Sequence, residues 1–113
     1  MAVKLRDSLE LITTIKYTNA AATTVDTVYL FNGRVGLAMN SAAAGALNIY
    51  IICGLIEYAS ETGVAWTGGD KIYWDDTNKR FTKTSTSNTL AGIVYEDKAS
   101  ASATGMVLLW PGA

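Results

Sequence analysis

Short apolar runs alternate with turn signals at roughly eight- to twelve-residue spacing along this chain, a pattern that points to an all-β fold. The clearest case is residues 65–81. Gly68-Gly69-Asp70 is a turn, because glycine reaches backbone angles that other residues resist. Lys71-Ile72-Tyr73-Trp74 is rich in β-branched and aromatic residues and reads as a half-buried strand. Asp75-Asp76-Thr77-Asn78 supplies side chains that bond to their own backbone and reverse the chain, and Lys79-Arg80-Phe81-Thr82 leads it back. Two of the three tryptophans, Trp66 and Trp74, lie in this hairpin. A misplaced hairpin would misplace the core.

The other runs follow the same grammar. Ile12 to Tyr17 and Val25 to Phe31 read as strands. Asn32-Gly33 is a strong hairpin signal, and Arg34 to Met39 is its partner strand. Gly36 within that partner predicts a bulge or a close backbone approach. Leu47 to Tyr58 is the longest strand region, either one strand or two broken at Gly54. Its near-continuous apolar character implies burial on both faces, within a barrel or an assembly. Leu90 to Tyr95 and Gly105 to Trp110 complete the set. The one proline is Pro111, so every predicted strand can donate a full hydrogen-bond ladder. No segment of ten or more residues carries a 3.6-residue period. The expected fold is a small antiparallel β-barrel or sandwich of about eight short strands over residues 12–113. Residues 1–11 form an extended N-terminal arm, with Val3, Leu5, Leu9 and Leu11 at period-two spacing.

Composition narrows the function. Charged residues make up 17% of the chain, against about 25% in typical soluble proteins. The net charge is −1 and the nine Lys and Arg residues are scattered. Nucleic-acid binding normally needs a basic patch and is not expected. Such a neutral surface suits burial in a larger assembly as well as it suits a Thr-rich monomer. There is no histidine, which removes the Ser-His and Cys-His nucleophile systems and the commonest metal ligand. Cys53 is the one cysteine and reads as a small buried hydrophobe. The longest apolar run, Ile49 to Ile56, is well short of the ~20 residues of a membrane helix. Neither membrane insertion nor export is expected.

Two clusters invite a chemical reading. Asp70, Asp75 and Asp76 could bind calcium or act as an acid–base pair, but the mid-loop glycine and distal glutamate of a calcium loop are missing. Turn-forming carboxylates in water are the simpler reading, and neither a catalytic site, a metal site nor a cofactor is expected. Trp66, Tyr73, Trp74 and Tyr95 could form a platform for a sugar or a base, which makes a carbohydrate-binding module the rival function, but buried hairpin aromatics are the commoner reading of such residues.

The runs Asp70-Lys71-Ile72-Tyr73-Trp74-Asp75 and Asn88-Thr89-Leu90-Ala91-Gly92-Ile93-Val94, followed by a Gly-x-Val-x-Leu at Gly105 to Leu109, resemble the tailed-phage capsid cement (decoration) family. Gly33-Arg34-Val35-Gly36-Leu37-Ala38, Ala42-Ala43-Ala44-Gly45 and Gly54-Leu55-Ile56-Glu57-Tyr58 are similar to its first half. Such proteins have also been labelled as RecA/RadA-like recombinases. A phosphate-binding loop needs Gly-Lys, however, and no such pair occurs in the chain. The arm and residues 110–113 depart from the family pattern. The resemblance implies a non-enzymatic structural protein, made in the host cytoplasm and found on the outer surface of the virion. It implies a homotrimer that bridges copies of the major capsid protein at three-fold and quasi-three-fold positions. On that reading Val3, Leu5, Leu9 and Leu11 contact the capsid, and Trp110, Leu108 and Trp74 form the trimer contact.

Overall fold

The computed structural model describes residues 13–110, all strand and loop with no helix. The eight strands are β1 (Thr13–Thr18), β2 (Val28–Phe31), β3 (Arg34–Ala38), β4 (Leu47–Ala59), β5 (Lys71–Asp75), β6 (Arg80–Thr82), β7 (Thr89–Val94) and β8 (Thr104–Leu109). They form one antiparallel sheet in the order β2-β3-β4-β8-β7-β5-β6, with β1 also paired to β4. The sheet curls into a half-barrel. A parallel bridge between Ser60 and Phe81 turns the free edge of β6 back toward the end of β4, and the Glu61 N–H bonds the Phe81 carbonyl at 3.0 Å.

β4 is the hub. The chain does not break at Gly54; one strand of 13 residues continues through it and changes partners there. The N-terminal half lies between β1 and β3, and from Gly54 onward β4 pairs with β8. Gly54 has φ 154°, a value that a residue with a Cβ rarely adopts.

Local chemistry accounts for the turns. Asn32 and Gly33 both have positive φ and join β2 to β3 in a two-residue loop, as Asn-Gly predicts. The strand predicted from Val25 starts only at Val28. Asp26 takes φ 62°, and its N–H reaches across to the Ala38 carbonyl at 2.8 Å, so Val25 to Thr27 is turn. Gly36 is a close approach: a Cβ there would lie 3.0 Å from the Phe31 ring and 3.1 Å from Tyr50 Cβ.

Two apolar clusters stand on either side of the β2–β3 hairpin. Val28 and Val35, with Leu30 and Leu37 against them, join the large barrel core of Ile56, Trp66, Ile72, Trp74, Phe81, Val107 and Leu109. Phe31 and Ala38 face the other way and join Tyr50, with Ile15, Tyr17, Tyr29 and Ile52 around them. Trp74 packs on Phe81 and Tyr58, with ring centroids 4.9 and 5.8 Å away. Tyr17 and Tyr50 pack on Phe31 at 4.8 and 4.5 Å. Such tilted aromatic pairs add about 0.5–1.5 kcal/mol each beyond the area they bury. The hairpin is therefore a wall shared by both cores. The Val28 N–H ties it to the barrel by donating to the Tyr58 hydroxyl at 3.0 Å.

Candidate assembly surface

The two ends of the described chain leave from one place. Thr13 pairs with Cys53 and Leu109 pairs with Gly54, so the start of β1 and the end of β8 meet on successive residues of β4. The arm residues Val3, Leu5, Leu9 and Leu11 lie outside the described residues. Trp110 stands beside this junction, 47% exposed, its N–H bonded to the Ala91 carbonyl at 3.0 Å. Leu108, two residues back, is half-buried and pairs directly with Leu55 on β4 and Ile93 on β7. Direct cross-strand partners share a sheet face. Leu108 and Leu55 therefore make one apolar patch, with Leu55 42% exposed.

Trp74 does not belong to that patch. It is 1% exposed, packed among Tyr58 and Phe81, with its indole N–H donated to Asp76 Oδ1 at 2.9 Å. A side chain covered by its own fold has no surface to offer a neighbour, so the trimer contact expected of Trp74 is withdrawn. The sugar platform fails for the same reason. Trp66 is 2% exposed, and only Tyr95 of that set is well exposed, at 55%.

The three aspartates act as turn formers. Asp75 accepts hydrogen bonds from the Thr77 and Asn78 N–H groups and from Asn78 Nδ2. Asp76 accepts from Trp74 and Lys79, and Asp70 from the Thr67 N–H with Lys83 3.3 Å away. These donors hold all three carboxyls below their ordinary pKa. Among the described residues no group of three or more His, Cys, Asp or Glu side chains could hold a metal ion.

A polar node under the barrel escaped sequence reasoning. Lys98 is 6% exposed, and its ammonium, with three protons, sits within hydrogen-bond distance of four carbonyls: Glu61 at 3.0 Å, Val64 and Ser102 at 3.1 Å, and Ala99 at 3.2 Å. It also lies 5.0 Å from the centre of the Trp66 ring, a cation–π contact. The Glu61 carboxylate, buried nearby, accepts from Trp66 Nε1 at 3.2 Å, the Thr82 hydroxyl at 2.8 Å and the Lys83 N–H at 2.9 Å. Burial pushes the Glu61 pKa up, but these three donors and the charge of Arg80 outweigh it, and the net shift is downward. Arg80 Nε is buried without a hydrogen-bond partner among the described residues and acts on Glu61 through its charge. A cavity of 270 Å³ opens beside Lys98, lined by Glu57, Glu96 and Asp97 among others. Two of its carboxylates are engaged within the chain: Glu57 accepts from the Thr104 hydroxyl and Asp97 from the Gly68 N–H.

These contacts lie within the fold and leave Leu55 and Trp110 exposed. The family model described as phage cement protein matches residues 10–109. The chain belongs to the phage cement protein family. The match takes in all eight strands of this cement protein and stops short of Trp110 and of nearly all the arm. No curated protein and no solved structure matches the chain significantly. Family membership gives this cement protein a structural role in the phage capsid and a location on the virion. No helix among the described residues is long and apolar enough to cross a membrane.

Proposed function

We propose that this cement protein is a homotrimer that binds the outside of the expanded phage head at three-fold and quasi-three-fold positions. There it bridges neighbouring copies of the major capsid protein and adds interface area where internal pressure pulls them apart. The observation that carries this reading is the family match across the whole sheet. The exposed Trp110 and the joint exit of both chain ends support it as a contact region. A protein that binds the expanded lattice and not its precursor stabilises that lattice by mass action, by about 2.7 kcal/mol at a free concentration of 100 Kd. The arm carries the capsid contact through Val3, Leu5, Leu9 and Leu11, adding a strand to an exposed edge of the neighbouring subunit.

The test is the solution mass of the protein with and without empty expanded heads. A trimer that binds heads saturably and raises their melting temperature is expected. A chain that ignores heads refutes the cement reading. Deletion of residues 2–10 is expected to abolish head binding and leave the circular dichroism spectrum unchanged; undiminished binding refutes the role of the arm. Trp110→Ala is expected to shift the mass toward monomer, and an unchanged mass removes Trp110 from the trimer contact.

A further inference from the structure

The chain is built twice from one unit. β1 pairs with the first half of β4 as the second half of β4 pairs with β8: Ile15 faces Tyr50 and Lys16 faces Ile49, where Ile56 faces Val107 and Glu57 faces Met106. β2 and β3 pair as β5 and β7 do, Val28 with Leu37 and Tyr29 with Gly36 against Lys71 with Ile93 and Ile72 with Gly92. β3 meets β4 as β7 meets β8, Ala38 with Tyr50 against Val94 with Val107. The entry turns match as well. The Thr23–Ala42 bridge answers to Trp66–Lys98, and the Asp26 N–H on the Ala38 carbonyl to the Gly69 N–H on the Val94 carbonyl, both at 2.8 Å. The smaller core is therefore the first unit's counterpart of the larger one.

The two units differ in their cover. Asn32-Gly33 joins the hairpin strands of the first; residues 76–88 join those of the second and include β6. Phe81 on β6 is 0% exposed and lies over Trp74 and Tyr58, with ring centroids 4.9 and 6.0 Å away. Phe31 and Tyr17 stand at the matching places of the first unit, 4.8 Å apart, and among the described residues nothing answers to Phe81. Thr23 also stands where the second unit has Trp66. The matched core residues do not make up the loss. Tyr29 and Tyr50 are larger than Ile72 and Val107, but Phe31 and Ala38 are smaller than Trp74 and Val94. Burial follows the missing cover: Ile56, Ile72 and Leu109 are buried, whereas their counterparts Ile15, Tyr29 and Ile52 are only half-buried.

We propose that Trp110 of a second copy of the chain supplies the missing cap, seated over Phe31 and Tyr17 as Phe81 is seated over Trp74 and Tyr58. The inference rests on the trimer reading above and assigns the surface that receives Trp110. A large aromatic ring fills this place in the second unit, and Trp110 is the one tryptophan left exposed. Its own first unit does not use it, since it stands 47% exposed beside an open core. Trp110 follows Leu109, which pairs with Gly54; the next residue of β4, Cys53, pairs with Thr13, where the strand carrying Ile15 and Tyr17 begins. Donor and opening thus flank the same stretch of β4, so a ring of copies about one axis can carry each Trp110 to its neighbour. Each copy gives one indole and receives one, a heterologous contact that closes into a ring. The Tyr17 hydroxyl is an acceptor for the indole N–H, which needs a partner once buried.

The experiment uses the full chain with p-benzoylphenylalanine in place of Trp110, an aromatic side chain that bonds to nearby C–H groups when irradiated. Denaturing gels and peptide mass mapping locate the crosslink. Covalent dimers and trimers joined at Ile15, Tyr17, Tyr29 or Ile52 are expected. In sedimentation, Trp110→Ala is expected to raise the concentration at the midpoint of assembly by about thirtyfold or more, as loss of a hot-spot aromatic does. Tyr95→Ala, at an exposed aromatic elsewhere, leaves the midpoint unchanged. Should the photoreactive chain not assemble, Tyr17→Leu decides by the same midpoint, since it keeps an apolar residue and removes a receiving ring; an unchanged value overturns the inference. Crosslinks between copies at other residues also overturn it and leave the trimer reading standing, as does a trimeric Trp110→Ala with an unchanged midpoint. Crosslinks to the major capsid protein alone, formed only when expanded heads are added, overturn it and give Trp110 to the capsid. A wild type that is monomeric at every concentration overturns both the inference and the trimer.

Discussion

Replacing Lys98 with methionine tests whether one ammonium fastens the loop after β7 to the barrel. Methionine keeps the unbranched length and removes the charge. Of the four carbonyls that Lys98 holds, Ala99 keeps a bond from the Ser102 N–H at 3.1 Å. The Ser60 hydroxyl, with one proton, reaches the Glu61 carbonyl at 3.3 Å or the Ser102 carbonyl at 3.4 Å but serves one at a time. The Val64 carbonyl keeps no other hydrogen bond among the described residues. One orphaned carbonyl costs about 1–3 kcal/mol, and a hydrogen bond to a charged group contributes about 1.5–3. Against these stands relief from burying the ammonium itself. The net expectation is a loss of about 2–3 kcal/mol, or roughly 10–20 °C in Tm for a domain of this size. Urea unfolding followed by circular dichroism measures it, at one fixed protein concentration because self-association would add its own mass-action contribution. Lys79→Met, which removes an exposed ion pair with Asp76, is the control and is expected to change stability by at most about 1 kcal/mol. A loss below about 0.5 kcal/mol for Lys98→Met would place it among ordinary surface changes and refute the carbonyl cage as a fastening.

Glu61 sets the response to acid. Its folded pKa lies below the ordinary value of 4.5, so its contribution is complete above that value and is lost as the pH falls through the folded pKa. Asp70, Asp75 and Asp76 are lowered from 3.8 and act in the same direction. Wild-type stability is therefore expected to fall below about pH 4.5, and Glu61→Gln to be less stable at pH 7 but flatter in acid; an identical slope in urea titrations would refute the assignment. Gly92→Ala puts a Cβ 2.0 Å from the Leu108 carbonyl oxygen, a backbone atom that can move only with β8. It is expected to cost about 3 kcal/mol or more in urea unfolding, and a neutral result would refute that close approach.

What the sequence made legible was local chemistry. Asn32-Gly33 and Asp75 to Asn78 form turns through their own backbone angles and side chains, so no distant contact is needed to read them. Gly36 marked a bulge or a close approach, although not what approached. The failures are all non-local. Val25 to Thr27 has strand composition, yet Asp26 turns left-handed because its N–H bonds Ala38 on the partner strand. Trp66 and Trp74 read as buried hairpin aromatics, which they are, but nothing local said that Tyr58, Phe81 and Lys98 would be what packs on them. Lys98 sits beside a Ser/Ala-rich loop with nothing in its neighbourhood to mark it. Its four acceptors come from two separate stretches, around Glu61 and around Ser102, which meet only once the barrel forms.

The apolar run through β4 is the instructive intermediate. Its sequence said that both faces are buried but not by what. The fold answers with a core on each side: Tyr50 and Ile52 turn to the smaller one, and beyond the bulge between Ile51 and Cys53 the strand turns Ile56 to the larger. Meanwhile the polar chemistry is largely satisfied within the chain: Glu61, Asp70, Asp75 and Asp76 each accept hydrogen bonds from their own fold. What remains without compensation is apolar surface, at the Leu55–Leu108 patch and at Trp110. Binding free energy comes chiefly from such surface once it leaves water. In a cement protein, whose role is to hold other subunits together, the uncompensated surface is where function has to be sought.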